Sequence, residues 1–175
     1  MKVSELDYAE QFQVFGFLKK LAESVNGDVR KKVKFMAVWM EIEGDDVNFP
    51  ITETVFKDNI RPILVQEKLV VWNEKDELTI SYEGIYRVSE QYLVSPETLG
   101  ILSRNDLEKY SQSFLNMLAD LTTNTDLVTV SSLKKRYHHR LGMIPLIHMI
   151  DSLEHQGLIF KQEINGDYVI SLPER

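Results

Sequence analysis

The last quarter of the chain, residues 129–172, carries the pattern that most restricts how this protein folds. It predicts a short polar helix, a tight turn at Gly142, and a second helix that ends at Gly157, since glycine readily adopts the left-handed conformation that follows a helix. A hairpin follows around Asn165-Gly166, the dipeptide most strongly associated with a two-residue turn. Two short helices with a hairpin directly behind them have to share one small core.

Residues 28–93 repeat this order of elements without repeating the sequence. Apolar positions and turn residues predict, in chain order, helices over 28–41 and 53–68, strands over 69–72 and 77–81, and a helix over 83–92. Pro62 is expected to divide the second helical pattern, because proline cannot donate a backbone hydrogen bond inside a helix. A further amphipathic helix precedes the repeat and ends at Asn26-Gly27.

Two helices followed by a hairpin are the signature of a winged helix-turn-helix unit. The chain therefore predicts a mainly α fold with small β-hairpins, of the α+β class, made of tandem winged helix-turn-helix units with an extra N-terminal helix. The expected divisions are an N-terminal helix (1–27), a first winged-helix unit (28–94), a linker (95–104) and a second winged-helix unit (105–175).

The composition excludes several classes of protein. The 175 residues contain no cysteine, which rules out disulfides and thiolate metal sites and suits the reducing cytoplasm. No apolar run approaches the ~18 residues of a membrane span, and the first residues lack the apolar core of a signal peptide. We therefore expect a cytoplasmic protein that does not enter a membrane.

Charge is unevenly distributed along the chain. The formal net charge is −7, which argues against a protein that coats DNA by bulk attraction. The interval 127–150, however, contains no acidic residue and carries a local charge of +4 from Lys134, Lys135, Arg136 and Arg140. An acidic body with one basic patch can bind DNA locally, or it can dock on an acidic protein.

The first winged-helix unit resembles the regulators of the MarR and PadR families. The resemblance is carried by Gln66–Trp72, which follows the predicted recognition helix, and by the phrase 78–88, which closes the wing. In those families the first phrase contains a glycine, and here Lys68 lies near its place. The resemblance implies the fold only.

The second unit resembles the gamma domain of the bacterial chromosome-segregating DNA translocase, which is a winged helix. The matching phrases are Lys135-Arg136-Tyr137, the turn glycine Gly142, and the run 150–159. The sequence departs from that family in two places: His138-His139 are extra, and Ile144-Pro145 stand where the family has polar and basic residues that open the recognition helix. The resemblance implies the fold and a DNA-binding role, and it weakens the expectation of base reading.

These observations favour a DNA-binding protein, in transcriptional regulation or DNA maintenance, with double-stranded DNA as its partner. Basic residues on the first helix of a helix-turn-helix neutralise phosphates and position the domain, whereas the second helix reads bases. The alternative for the basic helix is that its charged face contacts solvent or a partner protein instead of DNA. The expected nucleic-acid contacts are Ser132, Lys134, Lys135, Arg136, His139, Arg140, His148, Ser152 and Lys161.

A rival hypothesis is a non-enzymatic interaction subunit with a protein partner. Small acidic proteins built of tandem winged helices accompany the kleisin chains of chromosome-organising complexes. The net charge of −7 and the non-basic helix over 144–156 favour this rival, while the +4 interval favours DNA.

The N-terminal helix suggests a homodimer. Phe12, Phe15 and Leu18 lie on a helix that the minimal winged unit does not need, and a leftover apolar face is most often covered by a two-fold partner. The alternative is that this helix packs within its own domain.

No enzyme, cofactor or metal is predicted. The sequence contains no nucleophile paired with a base and no phosphate-cradling glycine loop. His148, Asp151 and His155 share a helical face, but the two histidines would stand roughly 10 Å apart at 1.5 Å of rise per residue. Surface histidines are the expected interpretation.

Overall fold

The computed structural model of this protein describes residues 1–45, 51–124, 127–137 and 143–173. The chain divides into two compact units, Met1–Gly100 (unit 1) and Ile101–Arg175 (unit 2). Each is a mixed α+β unit with a small three-stranded antiparallel sheet. Within the described residues, no helix is both long enough and apolar enough to cross a bilayer.

Unit 1 places one long helix before a strand and the shorter helices and strands after it. Its elements are a 3₁₀ turn (Val3–Glu5), α1 (Tyr8–Val25), β1 (Val33–Lys34), α2 (Phe35–Asp45), α3 (Glu53–Val55), a π-helical turn (Phe56–Ile60), α4 (Arg61–Gln66), β2 (Val70–Trp72), β3 (Glu77–Ile80), α5 (Tyr82–Tyr92) and a 3₁₀ turn (Pro96–Leu99). The strands lie in the order β1-β3-β2.

Helix α1 is an integral part of unit 1. It begins at its N-cap Asp7, whose carboxylate accepts the backbone N–H of Glu10, and it ends where Asn26 adopts a left-handed conformation. Its buried face centres on Phe17, whose ring lies 4.9 Å from that of Phe56 and 5.5 Å from that of Phe35. The aromatic core of unit 1 therefore cannot form without this helix.

The helix predicted over residues 28–41 is wrong at its start. Helix α2 begins at Phe35, because Val33 and Lys34 form β1 and pair with Leu78 and Glu77 of β3. This pairing joins residues distant in the sequence, so a local apolar pattern gives no sign of it.

The helical stretch from Glu53 to Gln66 contains no non-helical residue, so Pro62 does not break it as predicted, and a π-helical turn lies before the proline instead. Pro62 lies in the first turn of α4, directly after the π-helical turn. There the backbone N–H of Arg61 donates to the carbonyl of Phe56, one residue farther back than in an α-helix.

Unit 2 repeats the order of unit 1: a long helix, a short strand, two helical segments and a hairpin. Its elements are α6 (Arg104–Asn124), β4 (Val128–Thr129), α7 (Val130–Tyr137), α8 (Met143–His155), β5 (Phe160–Ile164) and β6 (Asp167–Ser171). The strands lie in the order β4-β6-β5, so in both units the third strand is central.

Local sequence signals set the ends of these elements. Asn165 and Gly166 have φ values of 52° and 80°, which both central residues of a type I′ turn require, so the predicted hairpin is confirmed. Helix α7 starts at Val130. Thr129 and Ser132 cap it reciprocally, because each hydroxyl accepts the backbone N–H of the other. The predicted turn at Gly142 lies outside the described residues.

Candidate interaction surfaces

Helix α7 presents part of the predicted basic patch. Ser132 and Lys135 are exposed and Lys134 is half-buried. Arg136 belongs to α7 by its backbone, while His139 and Arg140 lie outside the described residues. Of the cationic side chains predicted to contact phosphate on this helix, the structure thus describes two, at adjacent positions.

An acidic side chain of the same unit lies close to this patch. The Ser131 hydroxyl donates to the Asp167 carboxylate and holds its pKa below the usual range, with the nearby Lys134 charge adding to the effect. Asp167 is therefore fully ionised at neutral pH. It offsets part of the positive charge that α7 would offer to a phosphate.

The expectation that His148 faces outward to contact DNA is wrong. Its side chain is 2% exposed, and the backbone N–H of Leu102 donates to its Nδ1 over 3.4 Å. Burial lowers the pKa of His148 to about 4, against the opposing pull of the Asp151 charge. The imidazole is therefore a neutral core acceptor, out of reach of base edges.

Lys161 is also committed within its own unit. Its ammonium lies 3.1 Å from the Asp151 carboxylate, 3.5 Å from that of Glu154, and 5.0 Å from the centre of the Tyr168 ring. With its side chain only 13% exposed, it does not project toward solvent as a phosphate contact would. The prediction for Lys161 is corrected accordingly.

The outer side of α8 offers little else to a nucleic acid. Ser152 is half-buried and accepts the side-chain amide of Gln156 over 3.1 Å, while Asp151 and Glu154 also lie toward this side. Leu146, Met149 and Ile150 are buried as well, so α8 is covered around most of its circumference. Acidic and apolar groups occupy the helix that was predicted to read bases.

Unit 1 shows the same internal pairing at the corresponding place. Lys57, in the π-helical turn, lies 3.3 Å from the Glu53 carboxylate and 2.9 Å from that of Asp76, in the turn between β2 and β3. The Lys57 ammonium, with help from the Trp72 indole N–H, holds the pKa of Asp76 below its usual range. The Arg61 guanidinium lies 5.2 Å from the centre of the Trp72 ring.

Two of the three side chains predicted to form a dimer seam are inside unit 1. Phe15 and Leu18 are buried in the core, because α1 packs against α2 and α5. Neither can meet a second copy without unfolding the unit, so the predicted seam is wrong for both. Phe12 is 67% exposed, one helical turn from Tyr8, which is 87% exposed, so of the predicted seam only Phe12 is at the surface.

The structure adds a surface that sequence reasoning missed, an open groove of about 550 Å³ in unit 1. It lies between the start of α1 and the π turn with α4, where residues 5–10 and 58–66 come together. Its lining is Met1, Glu5, Leu6, Asp7, Glu10, Asp58, Asn59, Pro62, Ile63 and Gln66. The signal was available in the charge count, since residues 1–100 contain 12 basic and 18 acidic residues, a net charge of −6.

Four carboxylates line the groove of unit 1, together with the amino group of Met1, which lies 4.0 Å from the Glu5 carboxylate. The excess of negative charge suits a basic segment. Across the described ranges, no group of three histidine, aspartate or glutamate side chains is placed to hold a metal ion.

Comparison with known proteins gives this chain no relative. No family model, no curated protein and no solved structure matches it. Its function therefore has to be inferred from its own side chains.

Proposed function

We propose that this chain is a non-enzymatic interaction protein, made of two winged-helix units, that binds a partner protein rather than reading DNA. One observation carries the proposal. In each unit, the lysine that joins the second helical segment to the hairpin is already paired with two carboxylates of the same unit: Lys57 with Glu53 and Asp76, and Lys161 with Asp151 and Glu154.

The winged-helix assignment is supported by topology. Both units run helix, strand, helix, helical segment, strand, strand, and both sheets place the last strand in the centre. In a winged helix that binds DNA, the second helical segment enters the major groove and the hairpin contacts the backbone. One lysine of those elements is neutralised in each unit, Lys57 and Lys161, whereas Lys75 in the hairpin turn of unit 1 is exposed.

Electrostatics supports a protein partner over a phosphate backbone. Protein–DNA affinity comes largely from unpaired lysine and arginine side chains that release counterions from phosphates. Asp151 and Glu154 in unit 2, and Asp58 and Asp76 in unit 1, would instead repel a phosphate brought to these elements. Acidic proteins made of tandem winged helices that accompany kleisin chains are the class this pattern fits.

The acidic groove indicates which kind of partner segment unit 1 can bind. Glu5, Asp7, Glu10 and Asp58 surround a floor that includes the buried Ile63. A basic segment with apolar side chains at helical spacing satisfies both features, since its cations meet the rim and its apolar face meets the floor. We infer that such a segment is the part of the partner that unit 1 binds.

Fluorescence anisotropy tests this proposal with a labelled peptide that carries leucines at helical spacing on one face and lysines on the other. We expect saturable binding that weakens as salt is raised, because rim charges are screened. Asp58→Lys should weaken it severalfold, whereas Glu108→Lys, the same charge change at an exposed position of α6 outside the groove, should not. Equal loss in both variants, or no binding by the parent, would contradict the groove as the binding site.

A second candidate function is DNA backbone contact by α7. The exposed Lys135 beside Lys134, within an interval free of acidic residues from 127 to 150, is the observation that favours it. Such contact would position the protein without specifying sequence.

A further inference from the structure

Strand β5 lies at the edge of the sheet in unit 2 and carries exposed apolar side chains. The strand order β4-β6-β5 leaves its outer side unpaired by any strand in the part of the chain that the structure describes. Phe160 is 56% exposed and Ile164 is 43% exposed. A free edge with apolar side chains is a template for pairing with another strand.

The register within the hairpin decides which backbone groups the free edge offers. Ile164 pairs with Asp167 across the two-residue turn, and the residues flanking such a turn form a hydrogen-bonded pair. Because these pairs alternate along an antiparallel ladder, Phe160, Gln162 and Ile164 direct their backbone N–H and C=O groups toward β6. The corresponding groups of Lys161 and Glu163 then point outward.

The sequence of β5 is complementary to itself when read in the opposite direction. It runs Phe160-Lys161-Gln162-Glu163-Ile164. If a second copy of this strand lies antiparallel with its Gln162 opposite Gln162, each lysine meets a glutamate and each phenylalanine meets an isoleucine. Opposite-charge and aromatic–aliphatic cross-strand pairs both stabilise a sheet.

We propose that two copies of this chain associate through antiparallel pairing of their β5 strands, about a two-fold axis through Gln162. The two three-stranded sheets then form one continuous six-stranded sheet. The partner that this edge fits is therefore a second copy of the same chain.

Backbone and charge geometry agree on this register. The outward N–H and C=O of Lys161 face those of Glu163 in the second copy, so the ladder continues without a shift. Glu163 is exposed and lies opposite the partner strand's lysine. The ammonium of that lysine has three N–H donors, and within its own unit it donates to Asp151 and lies 3.5 Å from Glu154. On the other face, two phenylalanine–isoleucine pairs lie on either side of the central Gln162 pair.

The size of the contact sets the expected affinity. Two five-residue strands with two small apolar pairs bury less than the ~1,200 Å² of a standard stable interface. We therefore expect a reversible dimer with a dissociation constant in the micromolar range.

Disulfide trapping tests the register directly, because the natural chain contains no cysteine. In the proposed dimer the two copies of residue 162 are directly opposite, within the Cα separation that a disulfide accepts. Gln162→Cys should form a covalent dimer under mild oxidation in the full chain. Gln112→Cys, an exposed position on α6, should remain largely monomeric, and equal cross-linking of the two variants would overturn the proposal.

Sedimentation equilibrium on cysteine-free variants provides the second arm. Glu163→Lys places lysine opposite lysine twice and should raise the dimer dissociation constant about tenfold or more, while Glu108→Lys should leave it unchanged. Glu163→Pro removes a backbone N–H that points outward, without removing a hydrogen bond to β6. It should therefore abolish dimerisation and leave the circular dichroism spectrum of the folded unit unchanged. A parent that is monomeric at several hundred micromolar, or a Glu163→Lys variant that dimerises like the parent, would refute this pairing.

Discussion

The two units have the same order of elements, and they fix the hairpin to the second helical segment with ion pairs of opposite direction. In unit 1 the lysine is on the helical segment, Lys57, and the acid is in the hairpin turn, Asp76. In unit 2 the lysine is on the hairpin, Lys161, and the acids are on the helix, Asp151 and Glu154. A hairpin can thus be held by either arrangement, and both remove a cation from the surface where phosphate would bind.

The cores of the two units differ in the kind of side chain that fills them. Unit 1 is filled by an aromatic cluster, whereas the core of unit 2 is mainly aliphatic. Both tryptophans of the chain, Trp39 and Trp72, are in unit 1, and the four histidines are in unit 2. Tryptophan fluorescence therefore reports on unit 1 alone, and protonation of histidine affects unit 2 alone.

The largest expected effect comes from the aromatic core. Phe17→Ala should lower the free energy of unfolding of unit 1 by about 3–5 kcal/mol, because it leaves a cavity among the three rings that pack against Phe17. Urea titration followed by tryptophan fluorescence measures it. Phe12→Ala, on the same helix but 67% exposed, should change stability little. Comparable losses in the two variants would mean that α1 is not part of this core.

The next effect separates unit 2 from unit 1 by pH. Because burial lowers the pKa of His148 from 6.5 to about 4, the unfolded chain binds a proton more readily than the folded unit in that interval. The free energy of unfolding of unit 2 is therefore highest above pH 6.5. It decreases as the pH drops toward 4, by up to about 3 kcal/mol.

Urea unfolding of unit 2, followed by far-ultraviolet circular dichroism at several pH values, measures this loss. His148→Gln keeps an acceptor near the Leu102 N–H and does not titrate, so its unfolding free energy should depend less on pH between 6.5 and 4. The same slope in parent and variant would place the responsible proton elsewhere.

A smaller effect compares the two ion pairs. Lys161→Met should cost about 1–2 kcal/mol, because it leaves the half-buried Asp151 without its cation. Lys57→Met should cost less, about 0.5 kcal/mol, because Asp76 is more exposed to solvent. Unfolding titrations of the two variants give the order, and a larger loss at Lys57 would reverse this comparison of the two units.

Sequence patterns predict the helices and strands better than they predict the tertiary contacts that those elements make. Asn165-Gly166 specified its hairpin because few other dipeptides tolerate two successive positive φ values. The start of α2 was missed because Val33 pairs with Leu78, which is distant in the sequence. The spacing of apolar residues shows that α1 has an apolar face, but it does not show what covers that face. The prediction of a dimer seam at Phe15 and Leu18 is wrong because unit 1 itself covers them.

The site residues were harder to predict because helix spacing does not say how many faces are covered. His148 was placed outside on the assumption that α8 buries one stripe, yet Leu146, Met149 and Ile150 are buried beside it. The charges of Lys161 and Lys57 were visible in the sequence, but their carboxylate partners come together only through the tertiary fold.

We claim that, in each unit, a lysine on the surface where a winged helix would contact phosphate is neutralised by carboxylates of the same unit. Anisotropy of a labelled duplex of random sequence, titrated with the full chain at low salt and at about 150 mM salt, tests it most directly. We expect no measurable binding at the higher salt. Micromolar or tighter binding there, weakened by Lys135→Ala with Arg136→Ala and falling steeply with salt, would contradict the claim and establish α7 as a DNA-binding surface.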